Sequence, residues 1–209
     1  MILYLIRHGE TDWNREVRLQ GRVDIPLNEK GRRLAEITSK GLQDVSFDVA
    51  FTSPLQRAKE TAQIIIRDRD IELIQEELLM EISFGKYEGY CYSKENYNIP
   101  DPEFVRFFTE PEKYQPPEGA ESFCDVDKRA QAFWQKMLED KKYQESTILV
   151  STHGAMLRGL LRIIKQTPLE RYWEDGLHKN CAFSIVELRD GRMQILQEGV
   201  TLYDTHDEL

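Results

Sequence analysis

The amino-acid sequence predicts an α/β fold: a three-layer α/β/α sandwich with a mostly parallel central sheet, helices on both faces and an antiparallel C-terminal edge. Three observations predict it. Short apolar runs rich in β-formers, at residues 2–6, 47–52, 71–74 and 146–151, are separated by stretches of helical periodicity, the alternation that builds parallel sheets. The first run, Ile2-Leu-Tyr-Leu-Ile6, carries no charge at any position, as a strand buried on both faces requires. The last two runs, Cys181 to Leu188 and Arg192 to Glu198, flank Asp190-Gly191, a hairpin signature.

Taken in order, the opening strand stops at Arg7-His8-Gly9-Glu10, where Gly9 lets the backbone turn or come close to a bound group. Thr11 is placed to cap a short helix carrying Trp13 and Asn14. An irregular loop follows from Arg18 to Leu27, and in it Gln20 and Gly21 are best able to offer donors to a ligand. Asn28 caps a helix to about Leu42, with Leu34, Ile37 and Leu42 facing inward. After the second strand, Ser53-Pro54 reads as a helix start, a cap and then proline at the first helical position. Arg57 then lies at the end of the first turn and leans back towards the rim that carries His8. A cation there opposes the helix dipole, which favours a functional reason for Arg57 over a solvated one.

The third strand leads into residues 76–89, which mix apolar and acidic side chains, Glu77, Glu81 and Glu88 among them. Residues 90–122 differ in composition, with Tyr92, Tyr97, Phe104, Phe107, Phe108 and Tyr114 among five prolines. They read as an insertion, or lid, with one short helix near Asp101 to Thr109, packed over one end of the sheet. The bland alternative is a satellite cluster of rings under a long loop. Ser122 opens an amphipathic helix to about Lys142, with Val126, Ala130, Phe133, Trp134 and Met137 on its inner face. The fourth strand ends in Thr152-His153-Gly154, as the first ends in Arg7-His8-Gly9. A helix from about Ala155 to Lys165 follows, Thr167-Pro168 begins a short helical stretch, and the polar tail from Thr201 to Leu209 is expected to be loose. No repeat or linker divides the chain, so one domain over residues 1–209 is expected, with the insertion at about 90–122.

Composition narrows the function. With 40% hydrophobic and 31% charged residues over 209 positions, this is an ordinary globular chain with room for one well-buried core. The net charge of −9 argues against non-specific binding to nucleic acid or an anionic membrane, while leaving room for a local basic pocket. Cys91, Cys124 and Cys181 are odd in number and form no C-x-x-C pattern, which points to a reducing cytosol without disulfides or a zinc site. No signal-peptide pattern or membrane-length apolar run is present. A cytoplasmic protein is expected.

In open α/β sheets ligands bind outside the carboxyl ends of the strands, where Arg7, His8, Arg57 and His153 fall. The arginine fork suits phosphate, and a neutral imidazole can act as a nucleophile. An Arg-His-Gly tripeptide alone is an ordinary strand end. The second arginine, the second histidine and a glutamate in similar contexts change that reading.

The ordered set Leu5-Ile-Arg-His-Gly-Glu-Thr-Asp-Trp-Asn14, Gln20-Gly21, Pro26-Leu27 with Gly31, Thr52-Ser-Pro-Leu-Gln-Arg-Ala-Lys-Glu-Thr61, Leu79-Met-Glu-Ile-Ser-Phe-Gly-Lys-Tyr-Glu-Gly89, Glu118-Gly-Ala-Glu-Ser-Phe123 and Val150-Ser-Thr-His-Gly154 resembles the histidine phosphatase superfamily. Its members include cofactor-dependent phosphoglycerate mutases, α-ribazole phosphatase and broad-specificity bacterial phosphatases. The resemblance implies a phosphoglycerate mutase-like fold and a phosphohistidine formed on His8. It also implies phosphoryl binding by Arg7, Arg57 and His153, with Asn14, Gln20, Gly21 and Gly154 lining the phosphate site, and Glu81 as the acid that protonates the leaving oxygen. Two arginines and a histidine stabilise the transferring group without a metal, so no metal and no cofactor are expected. His178 and His206 match no role and are read as structural.

Within the family the phosphatase branch is favoured. The segment 90–122 offers only Lys94, Arg106 and Lys113 against seven acidic residues, a poor match for the compact polyanion that a mutase holds. An inactive phosphate-binding scaffold would be expected to lack the nucleophile or its partners, and all are kept. A zinc hydrolase built on His8, Glu10 and His153 lacks the ligand spacing. The expected partner is a small phosphomonoester, with no nucleic acid or membrane; oligomeric state is not legible.

Overall fold

The computed structural model describes residues 1–204; the reading of His206 and of the end of the tail falls outside the described residues. Six strands, β1 (Ile2–Arg7), β2 (Val49–Thr52), β3 (Glu72–Gln75), β4 (Thr147–Thr152), β5 (Phe183–Arg189) and β6 (Arg192–Val200), form one sheet in the order β3-β2-β4-β1-β5-β6. The first four are parallel and the last two antiparallel. Strand alternation divides the core in two. Leu3, Leu5, Val49, Phe51, Ile148 and Val150 face one side, while Ile6, Ala50 and Leu149 face the other.

Helices cover both faces. On the side of Ile6, α2 (Glu29–Gly41) and α3 (Gln56–Ile66) bring in Leu34, Ala35, Ala62 and Ile65. On the side of Leu3, α5 (Phe123–Glu139) and α6 (Gly154–Lys165) bring in Phe133, Trp134, Met137, Leu157 and Leu160. Two one-turn helices, α1 (Asp12–Arg15) and α4 (Arg106–Thr109), sit in the loops. Three expected caps form: Thr11 and Ser122 each complete a capping box, and Asn28 accepts from Gly31 N–H. Each satisfies donors that a helix start leaves orphaned. Among the described residues no helix is long and apolar enough to cross a membrane.

Several expected boundaries move, and each has a physical cause. Ser53-Pro54 does not start a helix: α3 begins at Gln56, with Leu55 at the cap position and no side-chain cap. The Ser53 hydroxyl accepts from Leu55 N–H, at 3.3 Å, and also meets His153 Nε2, 100 residues away, at 2.7 Å. Arg57 is therefore the second residue of α3, and it is fully buried, not solvated. The last hairpin begins at Phe183, not Cys181, because Cys181 adopts φ +58°. Its N–H donates to the carbonyls of Arg7 and His8 at 3.0 and 3.4 Å, which ties this corner to the end of β1. Smaller shifts put the start of β2 at Val49 and β3 at Glu72–Gln75, and α5 stops at Glu139. Thr167-Pro168 leads only to a single 3₁₀ turn at Leu169–Arg171. Asp190 and Gly191 both take positive φ (52° and 71°), as the two-residue hairpin turn requires.

The rings of residues 90–122 divide between two duties. Phe104, Phe107 and Tyr114 are buried and join the core on the α5/α6 side, where Phe107 stacks on Phe123 at 4.9 Å. Tyr92 and Phe108 stack on each other at 5.2 Å and, with Phe107, line the cleft described below. Beside them, with Trp173 donating to the Phe107 carbonyl at 2.7 Å, the loop after the 3₁₀ turn is fastened by Arg158, only 2% exposed, which bonds the Tyr172 carbonyl and pairs with Asp175 and Glu198.

Candidate active site

The register Arg7↔Thr152 between β1 and β4, and Thr52↔Ser151 between β4 and β2, brings three strand ends to one rim. His8 and His153, the next residues, become neighbours whose ring centroids lie 5.2 Å apart. Arg57 reaches the same rim from α3. The cleft here holds about 350 Å³ and is lined at its polar end by Arg7, His8, Asn14, Gln20, Gly21, Arg57, Glu81 and Gly154. Leu19, Phe84, Tyr92, Phe107, Phe108, Trp173 and Leu177 line the rest, with Arg18 as the only further cation that the described residues bring to the lining.

His8 is 3% exposed, and its Nδ1 stands 2.7 Å from the Gly9 carbonyl oxygen. A carbonyl can only accept, so Nδ1 carries the hydrogen and Nε2 keeps its lone pair. Burial, then the charges of Arg57 and Arg7, push this imidazole well below the usual histidine range. It is neutral at physiological pH, as a nitrogen nucleophile must be. The Gly9 turn is held by its N–H donating to Thr61 Oγ1 at 2.9 Å, and Thr61 in turn donates to the Arg57 carbonyl at 2.7 Å. A Cβ on Gly9 would stand 2.6 Å from the Gly31 carbonyl oxygen, so only glycine permits this packing of the turn on α2.

The two guanidiniums are anchored through backbone. Arg7 donates from one terminal nitrogen to the His178 carbonyl. Arg57 donates to the carbonyls of Gly21 and Val23 at 2.6 and 2.9 Å. Burial pulls the Arg57 pKa down to about 10, against the favourable charges of Glu81 and Asp24, which leaves it charged at neutral pH. Gly21 thus contributes an acceptor that orients Arg57, where the sequence suggested a donor to the ligand. Two facts explain the glycine: its φ is +53°, and a Cβ there would stand only 2.2 Å from Glu88 Oε1. Arg7 Nε, Arg57 Nε and His153 Nδ1 are all buried without a hydrogen-bond partner. Buried polar atoms ordinarily have a partner; of these three residues Arg7 and Arg57 line the cleft, and the His153 ring adjoins that of His8.

Asn14 and Gln20 turn their oxygens inward. Asn14 Oδ1 accepts from Thr11 N–H and hydroxyl, both at 3.1 Å, and Gln20 Oε1 stands 3.0 Å from the Thr11 hydroxyl. The amide nitrogens of both are left for the cleft that these residues line. Glu81 joins from the loop before residue 90: Oε1 accepts from Ile82 and Met156 N–H at 2.9 and 3.0 Å, and Oε2 from Ala155 N–H at 3.1 Å. It supplies the N-terminal partner that α6 lacks locally. Oε1 has both acceptor positions used, while Oε2 keeps one and lies 3.5 Å from where a Cβ on Gly154 would stand.

The competing glutamates separate cleanly. Glu77 is exposed on a 3₁₀ turn away from the cleft lining. Glu88 accepts from Arg22, Val23 and Phe84 N–H and fastens two loops together. His178 is buried with its ring nitrogen 2.9 Å from Ser184 Oγ, and its carbonyl, not its ring, serves the site. Among the described residues no group of three or more His, Cys, Asp or Glu is placed to hold a metal ion.

Some participants escape a sequence reading. Thr61 follows Arg57 by four residues on one helix face, a signal that could have found it. Asn180, which donates to the His8 carbonyl at 2.9 Å, and Arg129, which donates to the Leu78 and Met80 carbonyls at 2.9 and 2.7 Å and steadies the loop bearing Glu81, have no local signal.

Residues 3–201 match the family model of the histidine phosphatase superfamily, branch 1. The chain belongs to that superfamily. Phosphoserine phosphatase 1 of Hydrogenobacter thermophilus is 29% identical over 96% of this chain and 93% of its own length. A 2,3-bisphosphoglycerate-dependent phosphoglycerate mutase of Gloeobacter violaceus is 32% identical over 77% of this chain and 74% of its own. Among solved structures, Bacillus stearothermophilus YhfR superposes with a TM-score of 0.89 at 37% identity, covering 96% of this chain and 98% of that one. As a histidine phosphatase the protein is a phosphomonoester hydrolase with a phosphoglycerate mutase-like fold; the mutase activity that occurs in the same superfamily is the less favoured alternative.

Proposed function

We propose that the protein hydrolyses phosphomonoesters through a phosphohistidine on His8 and prefers monophosphates with an apolar or aromatic body. The observation that carries this reading is the set of three buried, unpartnered nitrogens, Arg7 Nε, Arg57 Nε and His153 Nδ1, around a neutral imidazole with a bare Nε2. Nε2 attacks phosphorus while the ester P–O bond breaks, and the leaving oxygen takes the proton of the Glu81 carboxyl, carried on Oε2. Charge on the transferring group rests on Arg7, Arg57 and His153, with Asn14 and Gln20 as further donors. Water then attacks the phosphohistidine and gives its proton to Glu81, which releases inorganic phosphate and restores the enzyme.

The apolar wall supports the substrate class. Lys94, Arg106 and Lys113 do not line the cleft; Arg106 pairs with Glu103, and Lys113 with Glu110. Arg18, which does line it, is paired with Glu16 at 2.6 Å. A second phosphate or a carboxylate would find little compensation there, which weighs against the mutase reading. The same reading takes residues 1–209 as one domain with residues 90–122 as its lid. It takes the protein to be cytoplasmic and to act on small molecules, with no part for nucleic acid or a membrane.

The test is a panel of aryl, alkyl and sugar monophosphates with phosphoserine, run beside a 3-phosphoglycerate mutase assay. Expected is a higher kcat/KM for aryl and bulky alkyl esters than for phosphoserine or 3-phosphoglycerate. A preference for 3-phosphoglycerate, or mutase turnover comparable to hydrolysis, overturns the substrate assignment.

A further inference from the structure

We infer that Ser53 is a positioning residue that sets the tautomer of His153, so that His153 offers an N–H, and not a lone pair, from Nδ1 to the phosphoryl group. Ser53 follows the end of β2 and is fully buried. Its hydroxyl oxygen makes two hydrogen bonds, accepting from Leu55 N–H at 3.3 Å and meeting His153 Nε2 at 2.7 Å. A hydroxyl has one proton to give. If that proton goes to His153 Nε2, the serine proton has its acceptor and Nδ1 carries the ring hydrogen. If Nε2 instead donates to Ser53, the serine proton is stranded in the interior, and Nδ1 turns a lone pair towards the place of an anion. The first arrangement leaves one open position, a buried donor at Nδ1, and a phosphoryl oxygen fills it. The second leaves two faults.

The comparison with His8 shows what the device achieves. Gly9 O and Ser53 Oγ select the same tautomer in both rings, one by accepting from Nδ1 and the other by donating to Nε2. His8 is thereby left a bare Nε2 for attack, and His153 an Nδ1–H for charge stabilisation. Burial first, then the charge of Arg57, with Arg129 and Arg7 adding to it, keep His153 neutral, so the choice of tautomer decides which edge donates.

The test is ¹⁵N NMR of histidine-labelled protein near pH 7.5 without phosphate, the His153 signals being those lost in His153→Gln. Expected in the wild type is a protonated Nδ1 and an unprotonated Nε2. In Ser53→Ala the two His153 nitrogen shifts should converge as the tautomers exchange, and kcat should fall about 10–100-fold, a share of what a lost transition-state donor costs. Ser53→Thr, which keeps the hydroxyl, should recover both readings. A protonated Nε2 with bare Nδ1 in the wild type overturns the inference, as does a folded Ser53→Ala protein that retains the Nδ1–H tautomer. Should Ser53→Ala fail to fold, the wild-type spectrum decides alone. The activity arm rests on the phosphohistidine reading, whereas the tautomer is read without turnover, so the two can fail separately.

Discussion

Thr61 Oγ1 stands 2.9 Å from the Gly9 amide and 2.7 Å from the Arg57 carbonyl, so one hydroxyl joins the turn that orients His8 to the helix that carries Arg57. The residues proposed as nucleophile and phosphate clamp are therefore tied together through one side chain. Changes at either should alter turnover while leaving the two-sided core intact.

His8→Ala should remove essentially all hydrolysis with little change in thermal midpoint, since His8 lies past the strand end and belongs to neither apolar core. Quenched reactions with ³²P-labelled substrate should trap acid-labile, base-stable label on the wild type and none on the variant. Label on another residue would reassign the nucleophile.

Glu81→Gln should lower kcat/KM for an alkyl phosphate by roughly 10²–10⁴-fold, the usual span for general acid–base catalysis, and clearly less for nitrophenyl phosphate, whose leaving group departs without a proton. Pre-steady-state rates separate this from hydrolysis of the intermediate. Glu77→Gln is the clean control, because Glu77 is exposed. Glu88→Gln is not, since it loosens the loop that holds Arg57. Equal losses on both substrates for Glu81→Gln would make it a binding or structural residue.

Gly21→Ala should destabilise the fold by about 1–3 kcal/mol, the usual cost of a strained backbone position, because the added methyl meets Glu88 Oε1 and φ is +53°. Turnover should fall as well, since the Gly21 carbonyl is an anchor of Arg57. Urea melts beside kcat measure the two effects. A variant as stable and active as the wild type would remove Gly21 from the phosphate clamp.

Stability should fall as pH drops from about 6.5 towards 4. His8 and His153 are held well below 6.5, and His178 is pushed down to about 4 by burial, with Arg158 and Arg7 adding to the effect against Glu198. Below 6.5 the unfolded chain binds protons that the folded protein refuses, so the protons favour unfolding. The contribution is complete above 6.5 and is lost through this window. Urea unfolding at pH 7.5, 6 and 5 should show it, and His178→Gln should reduce the slope by up to one proton. A slope unchanged in that variant would mean that His178 titrates alike in both states.

Activity should survive exhaustive chelation, because the cations proposed to stabilise the transferring group are side chains. Loss with chelator that a divalent metal restores would contradict this.

Local patterning was enough to specify the two-period alternation of strand and helix, the caps at Thr11, Asn28 and Ser122, the Asp190-Gly191 turn and the strand-end position of His8 and His153. These depend on neighbours within a few residues, or on the simple need to bury alternate side chains, so they are written locally. The family motifs added Glu81, which periodicity alone could not separate from Glu77 and Glu88. In the folded chain Glu81 lines the cleft and accepts from three backbone amides, two of them from α6, while Glu88 fastens two loops together. Tertiary structure also placed the start of α3 at Gln56, three residues beyond Ser53, whose hydroxyl meets both the Leu55 N–H and a buried imidazole from the neighbouring strand end. Arg57 was legible as a rim residue, but its burial and its carbonyl anchors were not. A hydrogen bond between residues dozens of positions apart leaves no periodicity, and only the packed sheet brings its two ends together.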